Sequence, residues 1–319
     1  MKKYERRNIL KAGAGLASVP LLAGLSGCSS EDPVQESVVD TVQAPTRLPM
    51  ESIRDNVSVI SGAPGNIIVL NTDDGNMLVD SGSEALAPSV ELTLDGAEVR
   101  TLINTHYHRD QSGGNALFGN AGAAIHSHAI TRQWLSADYY VPFEDYWVPA
   151  LPEAGRPTHT FREKETLTLG NETIDLGYLL EAHTRGDAYV YMRNTNVLAV
   201  GDVASPERDP SLDWFAGGWL GGRVDAMDDI LEIANDDTLI VPAYGQVMTM
   251  DEFKAEHEMM RQLWERCSTL VNSGRSAQDI LEAGVMDEID RTFDDPYKFL
   301  YDVAKGLWAH YTNFGGNVV

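Results

Sequence analysis

Four apolar, strand-forming runs of this chain each end close to a polar side chain, and this pattern constrains the fold more than any other feature. The four polar residues are Asp80, His183, Asp202 and Tyr244. Polar residues that end successive apolar strands converge on one rim of a sheet, which is a usual place for a functional site. We therefore expect a β-rich domain with its site at one sheet edge.

The segment "THYHRDQSGGN", residues 105–115, adds a motif with metal-ligand spacing. His106 and His108 stand two residues apart after a predicted strand, so both imidazoles can reach one ion. Asp110 follows as a candidate oxygen ligand, and the two glycines allow the backbone to turn sharply into a helix. The motif predicts a metal-binding loop.

The remaining pattern predicts two strand-rich halves, each followed by helices, and thus sheets packed together with helices outside. Capping boxes at Thr249–Glu252 and Ser276–Asp279 predict the starts of two C-terminal helices. Residues 136–157, aromatic and Pro-rich without a clean period, are expected to form a loop or broken helix over the site. The predicted strands are 57–61, 66–71, 76–80, 99–105, 123–128, 165–170, 172–180, 188–193, 196–202 and 238–243.

This ordered set of residues resembles the metallo-β-lactamase fold superfamily over nearly all of residues 50–250. The resemblance implies an α/β fold, a four-layer αββα sandwich of two mixed β-sheets flanked by helices, with a metal site at one edge between the sheets. It also implies a role for six residues. His106, His108 and His183 match the first-metal ligands, and Asp110 matches a second-metal ligand. Asp202 matches the ligand that bridges the two metals or serves the second one, and Asp80 the buried aspartate that orients the histidine loop.

Two positions depart from the pattern of the family. Gln111 stands in place of the last histidine of the motif, and Tyr244 in place of the final histidine. A glutamine amide is a weak donor, and a phenol binds zinc poorly unless it ionises. We therefore expect one zinc ion, a second that is weak or absent, and Gln111 beside the ligands rather than among them.

The resulting hypothesis is a zinc-dependent, β-lactamase-like hydrolase that opens an amide, lactam, lactone or ester bond of a small molecule. A zinc-bound hydroxide at the three histidines would attack the bond. Asp110 would orient the water or take its proton, and Tyr244 would donate a hydrogen bond to the substrate carbonyl. One alternative is a mono-iron oxygenase using His106, His183 and Asp202. Another is a non-catalytic lipoprotein that binds a ligand in the pocket.

Several other residues have two readings. Trp214, Phe215 and Trp219 line a substrate groove or pack between layers, and their place after Asp202 favours the groove. The aromatic residues of 136–157 would form its opposite wall. His126 and His128 are expected to make structural hydrogen bonds, and Asp187 either supports His183 or caps a turn.

The N-terminus predicts export. Residues 1–27 carry a basic start, a twin-arginine-like pair and a short apolar run, which is typical of a signal peptide. "LSGC" resembles a lipobox, so Cys28 is predicted to carry a lipid; the alternative is an ordinary soluble signal.

The rest of the chain is then a flexible tether, residues 28–49, and a metallo-β-lactamase-like domain with C-terminal helices, residues 50–319. We expect a periplasmic lipoprotein tethered to the membrane through Cys28. The net charge of −24 argues against a nucleic-acid partner, because phosphates would be repelled.

Overall fold

The computed structural model describes residues 44–141 and 145–312. The predicted signal, Cys28 and residues 28–43 of the predicted tether lie outside the described residues. From Ala44 onward, the described residues belong to one compact unit. Among them no helix combines the length and the apolar content that a membrane crossing needs.

The first sheet has seven strands in the order β1-β2-β3-β4-β5-β6-β9. Strands β1 to β4 pair antiparallel, and β4, β5, β6 and β9 pair in parallel. The strands are β1 Met50–Arg54, β2 Val57–Ile60, β3 Ile67–Thr72, β4 Gly75–Val79, β5 Val99–Asn104, β6 Ala124–His128 and β9 His159–Phe161.

The second sheet has five strands in the order β10-β11-β12-β13-β14. All neighbours are antiparallel except β13 and β14. The strands are β10 Lys164–Leu169, β11 Glu172–Tyr178, β12 Ala188–Met192, β13 Val197–Gly201 and β14 Leu239–Pro242.

The two sheets face each other across a core of alternating apolar side chains, including Val79 and Ile103 from the first sheet and Val190 and Ala199 from the second. Helices cover the outer faces: α1 and α3 pack on the first sheet, and α5 to α8 on the second. The predicted four-layer αββα sandwich is confirmed. The helices are α1 Ala87–Thr93, α2 Arg109–Ser112, α3 Asn115–Asn120, α4 Ala129–Ser136, α5 Leu220–Ile233, α6 Met250–Asn272, α7 Ala277–Glu282 and α8 Pro296–Thr312.

Local sequence signals worked well for the helices and less well for residues 136–157. Both predicted capping boxes are present, at the starts of α6 and α7. The expectation of a loop or broken helix was wrong, because this segment contains a hairpin of β7 Tyr139–Val141 and β8 Tyr146–Val148. Tyr140 and Trp147 are cross-strand partners whose rings lie 5.5 Å apart, a pairing that stabilises a hairpin whose short strands show no clear period.

Candidate metal centre

Three histidines and one aspartate meet at one edge between the two sheets. His106 and His108 follow β5 in the first sheet, while His183 follows β11 and Asp202 follows β13 in the second. One ligand atom from each of the four residues lies within 4.8 Å of the others. Residues more than 70 positions apart in the sequence are thus gathered around one point.

The facing atoms are those that a cation needs. Nε2 of His183 lies 3.0 Å from Nδ1 of His108. Oδ2 of Asp202 lies 3.5 Å from Nε2 of His106 and 3.6 Å from Nε2 of His183. The buried Nε2 of His106 has no hydrogen-bond partner among the described residues. Since a buried polar atom needs a partner, this orphaned nitrogen among three other donors fits a bound metal ion.

Burial sets the protonation state of two of these histidines. It lowers the pKa of His106 and that of His183 well below the usual range, and the neighbouring His108 lowers both further. Neutral imidazole is the form that ligates a metal. Burial alone would also lower the pKa of His108, but hydrogen bonding to Asp213 raises it overall.

Each imidazole is oriented by its second nitrogen. Nδ1 of His183 lies 2.8 Å from the carbonyl oxygen of Ser211, and Nε2 of His108 lies 3.0 Å from Oδ2 of Asp213. Such contacts fix which ring nitrogen carries the proton and leave the other free for a metal. Burial would raise the pKa of Asp213, but hydrogen bonds from His108 and Tyr107 lower it to about 2, so this carboxylate is ionised.

Asp80 holds the histidine loop, as the resemblance implied. Its carboxylate accepts the backbone N–H of Thr105 at 2.9 Å and the Thr105 hydroxyl at 2.7 Å. The same hydroxyl oxygen lies 3.1 Å from Nδ1 of His106. Burial raises the pKa of Asp80 to about 7. Asp80 therefore reaches the metal centre through Thr105.

The two residues predicted for a second metal ion are separated in the structure, because Asp202 joins the three histidines and Asp110 does not. Asp110 is not among the four clustered ligands, and its Oδ2 accepts the hydroxyl of Tyr244. Oδ1 of Asp202 accepts a hydrogen bond from Nη2 of Arg208. The guanidinium carbon of Arg208 lies 3.4 Å from the centre of the Tyr244 ring. Gln111 is fully buried beside Gly65. Neither polar atom of the Gln111 amide has a hydrogen-bond partner among the described residues.

A cavity of about 620 Å³ opens over the histidines. The β7–β8 hairpin forms one wall through Tyr139, Tyr146 and Trp147, while Arg109 and Arg208 bring positive charge. An adjoining cavity of about 440 Å³, which also reaches His108, is lined by Trp214 and Phe215. Both cavities lie where a substrate would meet the metal centre.

The expectation that Trp214, Phe215 and Trp219 all line the substrate groove was wrong for Trp219. Its ring stacks on His310 with centroids 3.8 Å apart and meets Trp264 edge-on at 5.2 Å. The position at the start of α5 turns the indole towards α6 and α8, so Trp219 packs helices together.

His128 and Asp187, two polar residues for which a structural role was considered, both make such contacts. His128 lies with Nε2 3.1 Å from the carbonyl of Arg162, and its ring stacks on Tyr178. Asp187 accepts the backbone N–H groups of His183 at 2.6 Å and of Thr184 at 2.7 Å. Asp187 thus caps the turn and supports His183 at once.

Three residues that support the candidate metal centre were not predicted from the sequence: Arg208, Asp213 and Arg223. Arg208 and Asp213 lie in the segment after β13, and Arg223 lies in α5 and bonds to that segment. Arg223 is fully buried in α5, where it shares a stripe with Met227 and Ile230. A charged residue at an apolar helix position was the available signal. For Arg208 and Asp213 the only signal was their place just after the strand that ends at Asp202.

Comparisons with known proteins agree with this arrangement. The family model described as "Metallo-beta-lactamase superfamily" matches residues 60–245. The metallo-beta-lactamase type 2 of Bacillus cereus is 24% identical over 258 residues, covering 76% of this chain and 94% of that protein. The corresponding enzyme of Bacillus sp. (strain 170) is 25% identical over 189 residues, covering 58% of this chain and 68% of that protein.

Solved structures share the fold. The metallo-beta-lactamase from Pontibacter korlensis superposes with a TM-score of 0.54 at 18% identity, covering 67% of this chain and 99% of that one. The stereoselective inverting sec-alkylsulfatase Pisa1 from Pseudomonas sp. gives a TM-score of 0.60 at 13% identity over 85% of this chain. This chain spans about half of the sulfatase, 51% of its length.

Proposed function

The chain belongs to the metallo-β-lactamase superfamily, and from that premise we propose that it is a zinc-dependent hydrolase that opens an amide, lactam, lactone or ester bond. One observation carries the proposal. The ligand nitrogens of His106, His108 and His183 converge, with an oxygen of Asp202, within 4.8 Å beside an open cavity.

Zinc suits these donors. It binds imidazole nitrogen and carboxylate oxygen in nearly tetrahedral sites, and His106 and His183 are held neutral, which is the ligating form. When bound, zinc supplies Lewis acidity and lowers the pKa of a coordinated water to about 7. The residues around it supply orientation and proton transfer.

We assign the proton transfer to Asp110. Its carboxylate lines the cavity next to His108, and burial raises its pKa, which makes it a better base than an exposed aspartate. The Tyr244 hydroxyl is bonded to Asp110. In this proposal Tyr244 holds Asp110 in place, which replaces its predicted role as a donor to the substrate carbonyl.

The cavity walls support a substrate with an apolar or ring-bearing part. Tyr146 and Trp147 are 46% and 67% exposed on the hairpin beside the metal centre, and aromatic faces of this kind bind rings. Arg109 lines the same cavity and would attract a negatively charged group, whereas Arg208 is already paired with Asp202. A small anionic molecule with a ring fits both features.

The mono-iron alternative draws on the same atoms, because Oδ2 of Asp202 lies 3.5 and 3.6 Å from the nitrogens of His106 and His183. Two histidines and one carboxylate are the ligand set of non-haem iron oxygenases. Nδ1 of His108, 3.0 Å from His183, adds a third imidazole and favours zinc.

The test combines metal analysis with turnover. Protein purified without chelator and supplied with zinc should hydrolyse at least one member of a panel of chromogenic lactam, lactone, carboxylic ester and alkyl sulfate substrates. His106→Ala should lose both the metal and the activity, whereas His159→Ala, an exposed histidine outside the centre, should keep both.

Two results would contradict the proposal. Iron with oxygen consumption would favour the oxygenase. A protein that contains no metal, and whose ligand binding is unchanged in His106→Ala, would be the non-catalytic lipoprotein.

The lipid anchor and the periplasmic location belong to the proposal as well. They are supported by the signal-like residues 1–27 and by "LSGC" around Cys28. Wild-type protein expressed in a Gram-negative host should fractionate with membranes and incorporate an alkyne fatty acid. Cys28→Ser should be released into the soluble periplasm without label; label that persists in this variant would refute lipidation at Cys28.

A further inference from the structure

Arg208 binds one of the two carboxylates that a second metal ion would need, and it contacts the tyrosine that is bonded to the other. Its Nη2 donates to Oδ1 of Asp202, while Oδ2 of the same carboxylate faces the histidines. The guanidinium lies over the Tyr244 ring, with its carbon 3.4 Å from the ring centre. The Tyr244 hydroxyl in turn donates to Asp110. Both acidic residues are thus already engaged by organic groups.

The environment of this contact makes it strong. The side chain of Asp202 is 2% exposed, so its charge is poorly solvated and needs a cation. Guanidinium is always charged, and it stacks on aromatic faces as well as pairing with carboxylates. The backbone is secured too, because Arg291 donates to the carbonyls of Ser205 and Arg208. Arg208 is therefore held from both ends.

We propose that the guanidinium of Arg208 takes the place of a second metal ion, so that the chain binds a single ion and keeps a permanent organic cation beside it. A divalent ion at this position would have to displace a positive charge from a buried carboxylate. It would also have to break the bond between Tyr244 and Asp110. Tyr244, in place of the expected histidine, then has a purpose: its ring supports the cation.

The inference rests on the proposed function for the identity of the first ion, but the number of ions can be measured without any substrate. Apo protein would be titrated with Co²⁺ and followed by visible absorption, with zinc counted in parallel after equilibrium dialysis. Wild type should saturate at one ion per chain. A second equivalent should leave the Co²⁺ spectrum unchanged.

Two variants separate charge from bulk. Arg208→Met keeps most of the side-chain length without the charge and should take up a second, weaker ion, with a new absorption change between one and two equivalents. Arg208→Lys keeps the charge and should stay at one ion. Circular dichroism checks that each variant is folded. If Arg208→Met does not fold, Arg208→Ala replaces it and is titrated once in 50 mM guanidinium chloride and once in 50 mM sodium chloride. Guanidinium alone should then suppress the second ion.

Each outcome decides the point. Two ions in wild type, or one ion in a folded Arg208→Met protein, would overturn the inference while leaving the hydrolase proposal standing. No ion in wild type would refute the metal centre itself. A single ion with no turnover of any substrate would leave the assignment of Arg208 intact and remove the hydrolase proposal.

Discussion

Nδ1 of His183 lies 2.8 Å from the carbonyl oxygen of Ser211, and this contact ties a candidate metal ligand to the segment that follows β13. The same carbonyl also accepts Nη1 of Arg223 at 3.0 Å. Nη2 of Arg223 donates to the hydroxyl of Ser205 at 2.8 Å. A fully buried cation thus holds both ends of the segment that orients His183.

We therefore expect Arg223→Met to weaken metal binding. The Ser211 carbonyl remains but is less firmly held, so His183 loses part of its fixed orientation. Losing a direct partner of a ligand typically costs ten- to a hundred-fold in metal affinity, and for this indirect support we expect a loss of up to about ten-fold. Competition with a chromophoric zinc chelator measures the change. Arg261→Met, a change to a partly exposed arginine of α6, should leave the affinity as in wild type. Equal affinity in the two variants would mean that Arg223 supports only the fold.

A second prediction concerns stability in acid. His126 is buried, and its ring stacks on His159 with centroids 4.6 Å apart. Burial, the larger cause, and the neighbouring His159 imidazole, the smaller one, together lower the pKa of His126 to about 4. In the unfolded chain the pKa is about 6.5. Between these values only the unfolded chain binds the proton, so stability falls as the pH drops from 6.5 towards 4.

The two pKa values alone would give a loss of about 3 kcal/mol in the free energy of unfolding near pH 4. Because the stacked partner His159 is exposed and solvent screens part of the interaction, we expect a loss of about 2 kcal/mol through His126. Urea unfolding of wild type and His126→Gln at pH 7 and pH 4.5 would test it, and the variant should show the smaller difference between the two pH values. His257→Gln, whose imidazole pairs with Asp228, should not reduce that difference. Identical differences in wild type and His126→Gln would exclude His126 as the source.

The strands and the polar residues at their ends could be predicted from the sequence, because both depend on patterns of neighbouring residues. Runs such as 66–71 and 196–202 are apolar and β-branched, and the residues that end them had to converge on one rim. The order of His106, His108, His183 and Asp202 then indicated the family. Two edge features were not readable: β1 is largely exposed, and β9 has three residues.

The parts of the centre that were missed depend on tertiary contacts. The direction of Trp219 is decided by His310 and Trp264, far away in sequence. The position of Arg208 depends on Tyr244, and no spacing rule links these two residues. The departure at Tyr244 was visible in the sequence, but the cation that accompanies it was not.

The exposed hairpin gives a prediction about substrate binding. Trp147 is 67% exposed, so its removal should cost little stability. If the ring binds the apolar part of the substrate, Trp147→Ala should raise KM several-fold for a ring-bearing substrate and leave kcat and metal content unchanged. Trp308→Ala removes an indole that is 48% exposed on α8 and is the matched control. A KM that is unchanged in Trp147→Ala would remove the hairpin from the substrate site.

The last prediction separates the two partners of one carboxylate. Oδ2 of Asp213 lies 3.0 Å from Nε2 of His108 and also accepts the hydroxyl of Tyr107. Asp213→Asn keeps the shape but removes the charge that holds the proton on Nε2 of His108, so metal affinity should fall ten- to a hundred-fold. Tyr107→Phe leaves the bond to His108 intact and should reduce the affinity by less than about ten-fold. Chelator competition and the Co²⁺ spectrum measure both. If the two variants lose the same affinity, Asp213 acts through its loop, where it also accepts the N–H of Ala216 at 3.0 Å, rather than through the imidazole.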